Sequence, residues 1–270
     1  MHPLLFHFGH VAIPTYGVCT ALGLLAAMIL SVRMAKGMGL RSDKVWNLEL
    51  VAILTAIIAA RLVLIFGHPW LYHQHPFWFL GLITLPNVWY ALGGAAIGML
   101  VGVQYAIAEK LPLITTLDAM APAAALVFCV NRIGAFCGGA AWGTPTGLPW
   151  GVTYRSAVAY LWYHVPLGVR LHPVQLYDAG ASLGIFVLLL WMVRRGTERN
   201  GEIAGTWLFL YGVCRYFVEF LRGDAARQPL LDGAVTLAQV MAVAGVILGG
   251  VLWLAGRKRA EAGEEEPERH

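Results

Sequence analysis

Seven stretches of this chain, roughly 12–32, 47–66, 88–108, 113–135, 174–193, 203–221 and 234–255, each come close to the about 20 apolar residues that a helix needs to cross a bilayer. A segment in lipid must satisfy its own backbone N–H and C=O groups, so a chain made of such stretches has one simple solution, a bundle of spanning helices. Composition agrees: 59% of the 270 residues are hydrophobic and 13% are charged, the balance of a chain whose solvent is a bilayer. The expected fold is an all-α integral membrane protein with seven transmembrane helices.

An odd number of spans puts the two ends on opposite sides. Arg33, Lys36, Arg41 and Lys44 lie between spans one and two, Lys110 between three and four, Arg194, Arg195 and Arg199 between five and six, and Arg257, Lys258 and Arg259 after seven. The positive-inside rule makes these cytoplasmic, with the amino end exoplasmic and the carboxyl end cytoplasmic. Residues 67–86 contain no Lys or Arg and many aromatics, as an exoplasmic interfacial segment would. Residues 136–173, rich in Gly, Pro and aromatics, are too irregular to face lipid and are expected to form an exoplasmic cap on the bundle.

The domains expected are a membrane domain over 1–256, cap included, and a polar, disordered cytoplasmic tail over 257–270. The opening MHPLLFHFGH lacks a basic region, so the first span is expected to act as its own insertion signal. There is no evident repeat, and no basic, aromatic-interleaved patch for nucleic acid. Cys19, Cys129, Cys137 and Cys214 have no paired spacing, so neither disulfides nor a metal site is expected. His73 and His75 form a His-x-His with no Cys or acidic residue beside them, which reads as interfacial placement, as it does for His68 and His164.

Charges inside a span are costly and face a protein interior or cavity, where they pair or bind something. In YGVCRYFVEFLRGD, residues 211–224, helical geometry projects Tyr211, Arg215, Glu219 and Arg222 at about 0°, 40°, 80° and 20°, on one face of span six. Glu219 is one turn from Arg215 and suited to pair with it, which leaves the set a surplus positive charge. Arg61 lies near the outer end of span two and Arg132 ends span four, on the same exoplasmic side. For a single arginine, an interhelical ion pair or snorkelling to headgroups explains as much. Several near one membrane face supply bidentate donors suited to a lipid phosphate, so a phospholipid site is expected. Asp118, before Ala-Pro, reads as a helix cap. The small residues of 91–102 read as close helix packing, with Gly93 and Gly94 as positions that admit lipid.

These motifs, in this order, resemble the bacterial prolipoprotein diacylglyceryl transferases. IPTYGVCTALG resembles the family's first-span motif, with Tyr16, and AARLVLIFGHP its second-span arginine segment, with Arg61. DAMAPAAALVFCVNRIGAFCGGAAWGTPT resembles the signature segment and places Asp118, Arg132, Gly134 and Gly143 on recurring positions. RLHPVQLYDA follows the Arg-x-His-Pro-x-Gln-Leu-Tyr-Glu pattern with Asp178 for the glutamate, and YGVCRYFVEFLRGD the late-span motif.

The resemblance implies an enzyme of the bacterial inner membrane that moves a diacylglyceryl group from phosphatidylglycerol to the lipobox cysteine of a preprolipoprotein signal peptide, releasing glycerol phosphate. It implies no metal or diffusible cofactor, and membrane lipids as the remaining partners. The residues it marks as catalytic are Arg132, Arg215, Glu219, Tyr211 and, as a candidate base, His172, although a His before Pro at a helix start serves equally to fix that turn. The substrate-binding residues are Tyr16, Arg61, Gly93, Gly94, Gly134, Gly143, Gln175, Tyr177 and Arg222.

The chain departs from the family pattern in places. Leu92 stands at the histidine of the family's His-Gly-Gly, Ala135 at its asparagine, Asn131 at a glycine, and Ala140 or Ala141 at a polar or acidic position. These departures keep two alternatives open: a related phospholipid-dependent transferase with another acceptor, and a non-catalytic lipid-binding or transport protein. A transporter is expected to show interrupted helices or internal repeats, and neither is evident in the sequence.

Overall fold

A computed structural model describes residues 2–8, 11–67, 88–196, 200–224, 229–230 and 233–264. The aromatic segment with His68, His73 and His75, as well as Arg199 and the last six residues, lies outside the described residues.

The long apolar runs form helices, whose internal hydrogen bonding is what lipid demands of a backbone. Eight helices are described: α1 Thr15–Gly37, α2 Ser42–Gly67, α3 Val88–Ala108, α4 Leu113–Gly138, α5 Ala157–Tyr163, α6 Val174–Arg194, α7 Glu202–Glu219 and α8 Leu237–Glu264. Six of them, α1, α2, α3, α4, α6 and α8, contain a stretch long and apolar enough to cross a membrane. The exception among the expected spans is α7, whose 18 residues include Glu202, Arg215 and Glu219. An integral membrane protein with most of the expected spans is therefore what the helices describe.

Three expectations are corrected. Helix α8 continues to Glu264, through the beginning of the expected disordered tail; its Ala, Glu, Lys and Arg are good helix formers. The chain opens with a hairpin, β1 Leu4–Phe8 against β2 Val11–Pro14, that the all-α reading did not contain. Helix α7 stops at Glu219, so Arg222 lies in the turn that follows rather than on the helix face.

The chain divides into two compact units, one of residues 32–116 and one of residues 1–31 with 117–270. In the first, α2 and α3 pack through glycines. A Cβ on Gly94 would lie 2.4 Å from the Ala56 carbonyl oxygen, and one on Gly98 2.6 Å from that of Ala52. The surface of Gly94 is filled by α2 backbone, which corrects its expected opening to lipid, whereas a Cβ on Gly93 would stand 3.9 Å from Val63. At one end of the pair, Lys44 Nζ lies 3.2 Å from Glu109 Oε2.

In the second unit α7 and α8 pack in the same way, through Gly205, Gly212 and Gly249; a Cβ on Gly212 would be 2.6 Å from the Ala242 oxygen. The residues between α4 and α6 fold into a compact segment, the cap. It starts after Gly138 and contains α5 and a short pair of strands, β3 Val152–Thr153 and β4 Arg170–Leu171. Tyr154, Ala159, Val165 and Leu171 make its core, with Trp142 and Val152 against them.

Candidate functional site

Two local devices place α7. Its N-cap residue, Gly201, has φ +98, a conformation that glycine adopts without a Cβ penalty. The exposed N–H groups of the first turn are satisfied from another helix: Asp118 of α4 accepts from Gly201 N at 2.6 Å and from Ala204 N at 2.8 Å. Asp118 is thus a cap, as the sequence suggests, but of α7 and not of its own helix.

The other end of α7 is stitched to the cap. Thr144 N donates to Leu221 O at 2.8 Å and Gly223 N to Trp142 O at 3.0 Å, while on the opposite edge His172 N donates to Thr144 O at 2.9 Å. The backbones come close here: a Cβ on Gly143 would lie 2.4 Å from the His172 oxygen. The segment 142–144 therefore sets the positions of Arg222 and His172 together.

Between these anchors sits a buried ionic cluster. Asp178 Oδ2, on α6, lies 3.1 Å from Arg132 Nε of α4 and 3.9 Å from Arg215 Nη1 of α7. Arg215 Nη2 donates to Glu219 Oε2, the pairing expected one helical turn apart. Glu219 Oε2 also accepts from Arg222 Nη1 at 3.4 Å, and Arg222 holds Asp224 through two bonds of 2.8 and 2.6 Å. Glu219 is completely buried. Three arginines thus meet three carboxylates, and the expected surplus positive charge is corrected to balance by Asp178 and Asp224. Low local dielectric enforces this, because an uncompensated buried charge is strongly destabilising. The Tyr211 hydroxyl adjoins Arg132, and its ring packs on Phe128 at 4.6 Å and stacks with Trp207 at 6.2 Å.

The other residues singled out in the sequence fall into three groups. Tyr16 is next to the cluster in chain terms: its hydroxyl accepts from Asn131 Nδ2 at 3.3 Å, and Asn131 also donates to Thr20 Oγ1 at 3.0 Å, so the residue at the family's glycine position ties α4 to α1. Gly134 and Gly143 serve close backbone approach, a Cβ on Gly134 falling 2.6 Å from Cys19 Cβ. Gln175 and Tyr177 hold the cap. Buried Gln175 donates to Ala140 O at 2.7 Å and to the Tyr154 hydroxyl at 3.2 Å, and the Tyr177 hydroxyl accepts from Trp150 Nε1 at 2.8 Å and lies 3.5 Å from His172 Nδ1. Arg61, Gly93, Gly94 and Leu92 belong to the other unit.

Burial in the cap pushes the Tyr154 phenol up to about 12, against the opposing effect of its bond from Gln175. Sequence reasoning missed Asp178 and Asp224 as partners. For Asp178 the signal was present, since a carboxylate in an apolar span calls for a cation as surely as an arginine calls for an anion; Asp224 lies beyond the span and carried none.

A charge-balanced arginine–carboxylate cluster on α4, α6, α7 and the turn after α7, in a chain with six helices long and apolar enough to cross a membrane, defines a multi-pass membrane protein with a polar site in an apolar body. Comparison with known proteins supplies the family. The family described as Prolipoprotein diacylglyceryl transferase matches residues 3–255. The chain is 32% identical over 231 residues to the phosphatidylglycerol–prolipoprotein diacylglyceryl transferase of Clostridium tetani, covering 83% of this chain and 86% of that protein. It is 29% identical to that of Finegoldia magna over 98% of this chain and all of that protein, and 30% identical to that of Geobacter sulfurreducens over 92% of each. This chain belongs to the prolipoprotein diacylglyceryl transferase family.

Proposed function

We propose that the protein, in the bacterial cytoplasmic membrane, transfers a diacylglyceryl group from phosphatidylglycerol to the lipobox cysteine thiol of a preprolipoprotein; its relatives' names support the donor lipid, the group moved and a prolipoprotein acceptor. The observation that carries this reading is the convergence of Arg132 and Arg215, from two helices, on one carboxylate oxygen. Two guanidinium groups that meet on one oxygen can meet on a phosphate oxygen, with bidentate geometry that lysine does not offer.

In the reaction a sulfur–carbon bond forms at the glyceryl carbon as the carbon–oxygen bond to phosphate breaks. The departing oxygen keeps the electron pair and the thiol gives up its proton, so glycerol phosphate gains a negative charge. Arg132 and Arg215 face that charge, a preorganised electrostatic role. Glu219 orients Arg215 and Arg222, and the hydroxyls of Tyr211 and Tyr16 serve the headgroup. With Leu92 at the position of the family's histidine, the thiol, of pKa about 8.5, ionises beside the arginines or passes its proton to His172. The roles of Arg61 and Gly93 toward the headgroup rest on the family resemblance alone.

The wider frame is seven spans, with α7 completing the set, an exoplasmic amino end and cap, and a cytoplasmic carboxyl end. Labelling of single cysteines introduced at residues 147 and 196 with an impermeant reagent tests this: 147 reacts from outside and 196 only after lysis. The activity is tested with purified protein, phosphatidylglycerol micelles and a lipobox peptide. A peptide mass gain of one diacylglyceryl group supports the reading, and an intact, lipid-binding preparation that modifies none of several lipobox peptides contradicts it. Leu92 and Ala135 favour one second reading, the same lipid chemistry on a different acceptor.

A further inference from the structure

We propose that Asp178 is an internal stand-in for the substrate phosphate: a phosphate-ester anion enters the Arg132–Arg215 clamp by displacing this carboxylate, which takes up one proton as it gives way. The inference rests on the phospholipid reading of the clamp.

The contact geometry supplies the first argument. Arg132 Nε and Arg215 Nη1, the two nitrogens nearest Asp178 Oδ2, are buried and make no hydrogen bond. Asp178 meets them by charge without aligned bonds. Its neighbours are held better: Arg215 bonds Glu219, and Arg222 bonds Glu219 and Asp224. The clamp therefore presents two buried donors whose present occupant leaves them unsatisfied, and an unsatisfied buried donor favours any ligand that completes it. A tetrahedral phosphate offers oxygens in several directions, whereas a carboxylate on the short aspartate stem offers one plane.

Charge supplies the second argument. Arg132, Arg215 and Arg222 balance Asp178, Glu219 and Asp224, so the cluster is neutral before a ligand arrives. A phosphodiester carries one negative charge, and its arrival would leave the buried cluster with an excess of one. Uptake of one proton restores neutrality. Asp178 is the group that takes it, because phosphate removes its partners while Glu219 and Asp224 keep theirs. The groups that face Asp178 are Arg132 from α4 and Arg215, Tyr211 and Cys214 from α7. The same balance favours release: glycerol phosphate carries a charge of about −1.5 to −2 at neutral pH, so with one proton on Asp178 the cluster still holds an excess of negative charge, and Asp178 re-ionises and regains the arginines as the product leaves.

The expected result runs against that of an ordinary positioning residue. Binding that takes up a proton weakens as pH rises, by up to about tenfold per unit for a single proton. Titration calorimetry of the full-length protein with short-chain phosphatidylglycerol, without peptide, in two buffers of different ionisation heat, counts the protons directly. Wild type and Asp178→Glu are expected to take up about one. Asp178→Asn is expected to take up none and to bind at least tenfold more tightly at neutral pH, while transferring more slowly. Glycerol phosphate run in parallel separates the lipid headgroup from the free anion: loss of its proton uptake in Asp178→Asn shows that the clamp reads phosphate itself, and unchanged uptake overturns the proposal for the free anion. Failure of wild type to bind either ligand overturns the phospholipid reading and this inference with it. Wild-type binding with weaker or unchanged affinity and unchanged proton count in Asp178→Asn overturns this inference alone.

Discussion

Asp118 Oδ1 on α4 accepts the N–H of Ala204 in the first turn of α7 at 2.8 Å, and its Oδ2 accepts that of Gly201 at 2.6 Å. One carboxylate thus supplies the cap that the sequence before α7 lacks, and it complements the positive end of the helix dipole. Asp118→Ala is expected to lower stability by about 1–2 kcal/mol. Thermal unfolding in detergent checks this, with transfer activity falling alongside because Arg215 rides on α7. An unchanged midpoint contradicts the capping role.

Gly134 admits α1. With a Cβ there falling 2.6 Å from Cys19 Cβ, Gly134→Ala overpacks the α1–α4 contact and is expected to cost about 1–3 kcal/mol. Cys19→Gly removes the opposing atom, so the double variant is expected to be more stable than the sum of the two single changes predicts. Strict additivity contradicts direct contact.

Gln175 joins three parts of the fold by donating to Ala140 O and to the Tyr154 hydroxyl, which itself lies 3.4 Å from Phe136 O. Gln175→Leu leaves those buried groups short of a donor, at a cost of about 1–3 kcal/mol. Limited proteolysis is expected to cut between residues 139 and 173 faster in the variant. Equal cutting rates contradict a cap held by this side chain.

The same phenol gives an alkaline limit. Burial raises Tyr154 from about 10 when unfolded to about 12 when folded. The folded state holds the proton more tightly, so this contribution is complete below pH about 10 and disappears as pH rises toward 12. Stability measured by denaturant titration is expected to fall over that window, and less steeply in Tyr154→Phe. Equal slopes in the two proteins contradict the assignment.

Helices were legible in this sequence because lipid imposes one signal, a run of about 20 apolar residues. Helix α7 was legible too, over 203–221 against Glu202–Glu219, although Glu202, Arg215 and Glu219 dilute its apolar signal. The pairing of Arg215 with Glu219 was legible because it is local, four residues along one helix. The bridge from Asp178 to Arg132 was not, since nothing in a linear pattern states which faces of α4, α6 and α7 meet. Nor were the isolated backbone bridges of Gly143 to Arg222 and of Pro145 to Leu171, because loop backbone pairing leaves almost no trace in composition.

In the proposed reaction Arg132 and Arg215 together hold the phosphate whose bond to the diacylglyceryl group is broken. The most direct test is single-turnover release of glycerol phosphate from phosphatidylglycerol with a lipobox peptide, comparing wild type with Arg132→Ala and Arg215→Ala. The account predicts one glycerol phosphate per modified peptide in wild type, and at least a hundredfold slower release in each variant (about 2.7 kcal/mol or more of lost transition-state stabilisation). Wild-type release that persists undiminished in either variant would contradict it.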